Sequence, residues 1–248
     1  ATSCAEVWQD AHVYDTGMIT IIEIMGRHAG WLAGSAALAS LTGCGPDLVY
    51  LPETDFDMDK FLADVKAVYE KTGKCMVAVS EGIHYADGTF VSEAKTSATD
   101  GFGHAQLGGL AAHLADTVKQ ATGAKVRGIE LSLLQRCGAH LASKTDVKEA
   151  WQAGAAAVNA AVEGVTDKMV AFKCTREGGY TCETLEPLDI VANFEKKVPR
   201  EWINEAGNGV KQEFIDYVLP LIQGETDAPK ENGLPRFAHL KKVLTTEM

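Results

Sequence analysis

Four side chains suited to phosphate and hydroxyl chemistry stand beside apolar runs in this sequence. Arg27 follows the run 19–25, Glu81 follows 75–80, and Arg127 and Arg136 lie near the start and past the end of 126–131. A guanidinium is a planar fork of donors matched to phosphate oxygens, while a carboxylate at a strand's exit accepts hydrogen bonds from sugar hydroxyls. The junction Met25-Gly26-Arg27-His28 predicts a helix whose first turn holds Arg27 and His28, with free backbone N–H groups and the helix dipole favouring an anion. Gly26 would let a ligand approach the backbone, and Gly30 and Gly34 would let that helix pack closely on the sheet. Each feature alone has a bland reading, an incidental Gly-Arg junction or a solvated loop glutamate. Arg27, Arg136 and Glu81 together suit a ligand bearing both phosphate and hydroxyl groups, a sugar phosphate.

Other chemistries find less support. Glu81, His84 and Asp87 have a spacing that could hold a metal, but they fall in a loop of Gly and Asp, and no metal ligand is assigned. No G-x-S-x-G elbow is present, and the glycines after the first apolar run do not form G-x-G-x-x-G. The six cysteines, at 4, 44, 75, 137, 174 and 182, include no C-x-x-C and read as reduced thiols of a cytoplasmic protein. Cys174 and Cys182 could face each other across a hairpin turned at Glu177-Gly178-Gly179-Tyr180.

The elements that would carry these groups alternate. Strand-length runs at 19–25, 48–52, 75–80, 126–131 and 169–174 are separated by helical spacing at 57–69, 107–121 and 146–162, which end at Gly73, Gly123 and Gly164. Asp57 and the pair Thr145-Asp146 are the expected start signals. Such alternation implies a parallel sheet covered on both faces, with ligands beyond the carboxyl ends of its strands. The predicted class is α/β, a mostly parallel, Rossmann-like three-layer sheet with an antiparallel hairpin near 174–188 and a C-terminal helix at 212–222. Residues 1–190 read as the ligand-binding domain and 191–248 as loops, one helix and a polar tail.

The 248 residues, 46% of them hydrophobic, suffice for a substantial core, and the net charge of -11 argues against nucleic acid or an anionic membrane as partner. No apolar stretch approaches the roughly 20 residues of a membrane span, and no targeting segment is recognised.

The stretches EIMGRHAGWLA (23–33), SEG (80–82) and RGIELSLLQRCG (127–138) resemble, in that order, the fructose 6-phosphate half of 6-phosphofructokinase. RHAGW, SLLQRC and PREWINEAGNGV (199–210) are most similar to its bacterial pyrophosphate-dependent branch. The resemblance implies that Met25 and Gly26 contact the sugar and that Arg27 neutralises the transferring phosphoryl group. Glu81 would hold sugar hydroxyls, Arg136 would clamp the 6-phosphate, and Arg127 would reach the same phosphate in a neighbouring subunit of a homo-oligomer. Where relatives have a histidine before and Gly-Gly after the second arginine, this chain has Leu133 and Cys137-Gly138, so Gln135 is expected to supply part of the phosphate grip. Gly17-Met18 stands where many relatives carry a basic residue, and that contact is not carried over.

The family's Gly-Gly-Asp donor loop and the aspartate that serves as its base do not occur in this sequence. The expectation is therefore a substrate-binding domain belonging to a longer phosphotransferase that uses pyrophosphate, or ATP, with Mg2+ held mainly outside this chain. Alone it is expected to be inactive. The alternatives are a non-catalytic domain that senses a sugar phosphate and a structural scaffold.

Overall fold

A computed structural model describes residues 1–92, 108–174 and 180–241 of the chain. In chain order it runs α1 (Thr2–Val13), β1 (Met18–Ile24), α2 (Trp31–Gly34), β2 (Leu48–Tyr50), α3 (Met58–Thr72), β3 (Lys74–Ser80), α4 (Leu110–Thr122), β4 (Val126–Glu130), α5 (Leu134–Cys137), α6 (Lys144–Val162), β5 (Lys168–Cys174), β6 (Tyr180–Pro187), α7 (Leu188–Val191), α8 (Gln212–Val218) and a short ribbon, β7 (Lys230–Glu231) with β8 (Leu234–Pro235).

Four strands form a parallel sheet in the order β2-β3-β1-β4. Strand β1 is buried along its whole length, as a central strand covered on both faces must be, which is why its sequence shows no polar alternation. On one face Ile19 and Ile21 pack with Phe61 and Val65 of α3 and Leu110 and Leu114 of α4. On the other, Ile22 and Ile24 pack with Cys4, the alanines of α2 and the following 3-10 turns, and Phe214 of α8. The result is three layers. Full burial of Phe61 or Phe214 contributes about 2–3 kcal/mol each.

The helix ends follow the expected chemistry with two shifts. Asp57 caps α3 by accepting from the Lys60 N–H at 2.8 Å, and Gly73 ends it in a left-handed conformation. Helix α6 starts earlier than the Thr145-Asp146 signal, because the hydroxyl of Ser143 accepts from the Asp146 N–H at 3.0 Å. The C-terminal helix tightens to a 3-10 turn at Leu219–Ile222, where Pro220 has no N–H to continue the ladder.

Packing divides the chain differently from the boundary at 190. Val198, Ile203, Phe214, Ile215 and Val218 enter the sheet's core, so much of the C-terminal region belongs to the three-layer body. Helix α6 instead lies on the antiparallel hairpin β5–β6, and no described residue from 134 to 195 is buried. Val147, Trp151, Val158 and Val162 form an exposed apolar stripe along α6. The turn residues 175–179 and the side chains of Cys174 and Cys182, with their possible pairing, lie outside the described residues. Cys4 and Cys75 are buried and free, and burial pushes both thiols up in pKa, which leaves them unreactive. No described helix is long and apolar enough to cross a membrane.

Candidate functional site

Because β1, β3 and β4 are parallel neighbours, their carboxyl ends deliver residues 25–27, 81 and 131–136 to one edge of the sheet. The chain ties these exits to one another. The Met25 N–H donates to Oε1 of Gln135 at 2.8 Å, and the Gly26 N–H donates to Oε1 of Glu81 at 3.2 Å. The Glu81 N–H in turn donates to the Ile24 carbonyl at 3.0 Å, extending the β1–β3 ladder by one step. Ser80 donates its hydroxyl to the Gly26 carbonyl.

Gly26 has φ +152°, a conformation side chains rarely adopt, and a β-carbon there would stand 2.9 Å from the Ala29 carbonyl oxygen. The glycine is therefore required by the turn itself. Past β4, Ser132 takes φ 45°, an uncommon left-handed value for a residue with a side chain, as the backbone turns back toward β1 to place Gln135. Arg136 is the next residue and is exposed on α5. Arg27 is half-buried and Glu81 likewise.

Two expectations need correction. Arg27 and His28 are not in the first turn of a helix, since α2 begins only at Trp31 with Gly30 as its N-cap, and residues 27–28 form a bend between strand and helix. Of the backbone N–H groups at this junction, those of Met25 and Gly26 are taken by Gln135 and Glu81, and that of Gly30 by Glu53 at 2.8 Å. Gly34 also serves a different contact from the one expected, because a β-carbon there would stand 2.5 Å from the ring of Phe214 on α8.

Arg127 lies apart from this edge. It pairs in register with Thr20, five residues before Met25 on β1, which at about 3.3 Å per residue is roughly 16 Å away. There it lines a cavity of about 240 Å³ with Glu6, Val7, Asp10, Met18, Thr20 and Ile129. Met25, Gly26, Arg27, Glu81, Gln135 and Arg136 are thus brought to one edge, and Arg127 to the opposite end of β4.

Several residues at the edge carry roles that the sequence reading did not assign. Glu23, buried at 3% exposure, accepts the Ala111 N–H through Oε2 at 2.8 Å and so covers the N-terminus of α4. Burial pushes its carboxyl up in pKa; the hydrogen bond from Ala111 opposes the shift, and the charges of Glu130 and Glu81 add to it. Glu53 follows β2 as Glu81 follows β3, and a carboxylate at a strand exit was the signal that could have found it. His28 meets Glu195 Oε1 through Nδ1 at 2.5 Å, and this hydrogen bond lowers the Glu195 pKa. No three His, Cys, Asp or Glu side chains among the described residues are placed to hold a metal ion.

Comparison with known proteins identifies the family. A family profile described as phosphofructokinase matches residues 1–161. The chain is 46% identical over 227 residues to a pyrophosphate–fructose 6-phosphate 1-phosphotransferase of Halomonas elongata, covering 90% of this chain and 54% of that protein. Against the protein of the same name from Xanthomonas campestris it is 44% identical over 231 residues, covering 91% and 54%. A solved pyrophosphate-dependent phosphofructokinase from Nitrosospira multiformis superposes with a TM-score of 0.83 at 35% identity, over 100% of this chain and 59% of that one. The chain thus spans about half the length of the curated relatives it matches.

Proposed function

We propose, from the premise that this chain belongs to the phosphofructokinase family, that it supplies the sugar side of a phosphoryl transfer from pyrophosphate to the 1-hydroxyl of fructose 6-phosphate. The observation that carries this reading is the cross-tying of three strand exits, Gln135 to Met25 and Glu81 to Gly26, which sets the residues bearing Arg27 and Arg136 beside one carboxylate. Met25, Gly26 and Glu81 contact the sugar, and Arg136 holds the 6-phosphate. Gln135 spends its carbonyl on Met25, and its amide N–H group is the part that can donate to the phosphate. Arg27 balances charge on the transferring phosphoryl group, in a reaction where positioning and electrostatics do most of the work. Arg127, too distant for this chain's own site, serves the site of a neighbouring subunit in a homo-oligomer.

The donor site, magnesium and the catalytic base belong to the part of a longer protein that this chain does not contain. The apolar stripe on α6 suits a surface that such a part covers. We place the complete enzyme in the cytoplasm.

Calorimetric titration of fructose 6-phosphate into the 248-residue chain tests the reading. Binding is expected, and its loss on charge reversal in Arg136→Glu. A folded chain that gives no binding heat would sink the assignment. Turnover by this chain alone with pyrophosphate or ATP and magnesium would show that it is more than the sugar side.

A further inference from the structure

The loop that carries Arg27 is pinned at both ends. At its start, Met25 and Gly26 are held by Gln135 and Glu81; at its end, the Gly30 N–H donates to Glu53 Oε1 at 2.8 Å. The same oxygen of Glu53 also accepts the Val198 N–H, at 2.9 Å. One carboxylate therefore joins the end of the Arg27 loop to a segment far away in sequence. That segment runs along the loop as a strap: the Trp31 indole donates to the Lys196 carbonyl at 2.7 Å, and His28 meets Glu195. Oε2 of Glu53 is buried without a hydrogen-bond partner among the described residues. Burying a carboxylate oxygen unpaired is costly, and the two amides on the other oxygen are what offset it. Space around the joint is closed as well, since a β-carbon on Gly30 would stand 2.7 Å from Oε2 and 2.9 Å from Leu51.

We infer that Glu53 is a positioning residue for Arg27. Without it the Gly30 and Val198 amides lose their common acceptor, and the end of the loop loses the joint that lies beside its His28–Glu195 and Trp31–Lys196 contacts with the strap. The guanidinium would then have to be ordered at the moment of ligand binding, a cost that the pinned loop has already met on folding. The inference rests on the sugar-phosphate reading of the site and adds to it a residue that touches neither sugar nor phosphate.

The test uses the 248-residue chain and its affinity for fructose 6-phosphate, together with hydrogen exchange of the amides at 26–31 in the absence of ligand. Glu53→Ala is expected to weaken binding by about tenfold or more and to speed exchange at 26–31. Glu53→Gln keeps a carbonyl oxygen for both amides and is expected to bind within about threefold of the parent. Asp64→Ala is the control, because it removes an acceptor for Tyr50, Lys60 and Asn208 that lies away from the loop; its affinity is expected to match the parent. Should Glu53→Ala not give a folded chain, Glu53→Asp, which withdraws the carboxylate by one methylene, is read in the same way. Parental affinity in the Glu53→Ala or Glu53→Asp chain, or an equal loss in Asp64→Ala, overturns the positioning role and leaves the sugar-phosphate reading intact. A parent chain that does not bind fructose 6-phosphate overturns that reading instead, and the positioning role falls with it.

Discussion

Gly82 lies directly against the main chain of Arg27, so closely that a β-carbon at position 82 would overlap the Arg27 carbonyl group. The obstruction is backbone, not the tip of a flexible side chain, and cannot swing aside. The glycine after Glu81 thus sets how near the β3 exit comes to the loop from β1, and the Glu81 contact to Gly26 depends on that approach.

Gly82→Ala is therefore expected to destabilise the chain by about 1–3 kcal/mol, the usual range for overpacking a filled site. It should also weaken fructose 6-phosphate binding, since relieving the clash moves Arg27 or Glu81. Urea unfolding and calorimetric titration of the same preparation measure the two effects; a chain as stable as the parent would refute the steric argument.

Arg136→Ala and Arg27→Ala are expected to fail differently. Loss of a charge-assisted contact to phosphate is worth about 1.5–3 kcal/mol, so Arg136→Ala should raise the dissociation constant for fructose 6-phosphate roughly ten- to hundredfold. Arg27→Ala should weaken fructose 6-phosphate binding by about tenfold and, in the complete enzyme, also lower kcat by roughly a hundred- to a thousandfold. Steady-state kinetics that show Arg27→Ala changing KM alone would remove Arg27 from the phosphoryl transfer.

Arg127 gives a prediction about assembly. If it completes a neighbour's site while Arg136 completes its own, complete enzymes carrying Arg127→Ala and Arg136→Ala are each impaired. Hybrids formed by unfolding and refolding the two together should regain activity, because one site of each mixed pair then keeps both arginines. Absence of recovery in hybrids proven by mass spectrometry to be mixed would assign Arg127 to its own chain.

Glu23 gives a dependence on pH. Its carboxyl is raised in the folded chain, chiefly by burial, so the native state holds a proton more tightly than the unfolded state does. The contribution of this group to stability is therefore full below the ordinary carboxylate range and is lost as pH rises through the folded value. Glu23→Gln can still accept the Ala111 N–H without the cost of a buried charge, and its stability relative to the parent should increase as pH rises from about 4 toward neutrality. Urea unfolding of both chains across that range checks the sign; a difference independent of pH would show that Glu23 does not titrate differently on folding.

The order of strands and helices was legible in the sequence because burial on both faces leaves a direct trace. The run Ile19-Thr20-Ile21-Ile22 has no polar alternation, and Asp57 and Gly73 mark the ends of α3 by local chemistry alone. Arg27, Glu81, Gln135 and Arg136 were legible as candidates for the same reason: parallel strands put their exits on one edge, and each residue comes after such a strand. The path of the backbone just past β1 was not legible. A glycine and an arginine before small residues suit a helix start, yet the N–H groups of Met25, Gly26 and Gly30 are taken by Gln135, Glu81 and Glu53, which arrive from three other strand exits. Local sequence carries no record of an acceptor contributed from a distant segment. The same limit hid the strap, since Val198 reads as a loop residue until Glu53 and the Phe214 cluster give its amide and side chain a place. Residue types and their order alone marked which groups at this edge are candidates for phosphate and hydroxyl chemistry. Long-range packing selected which of its groups are spent holding the loop and which are left to meet a ligand, because hydrogen-bond partners from remote segments meet only in the folded chain.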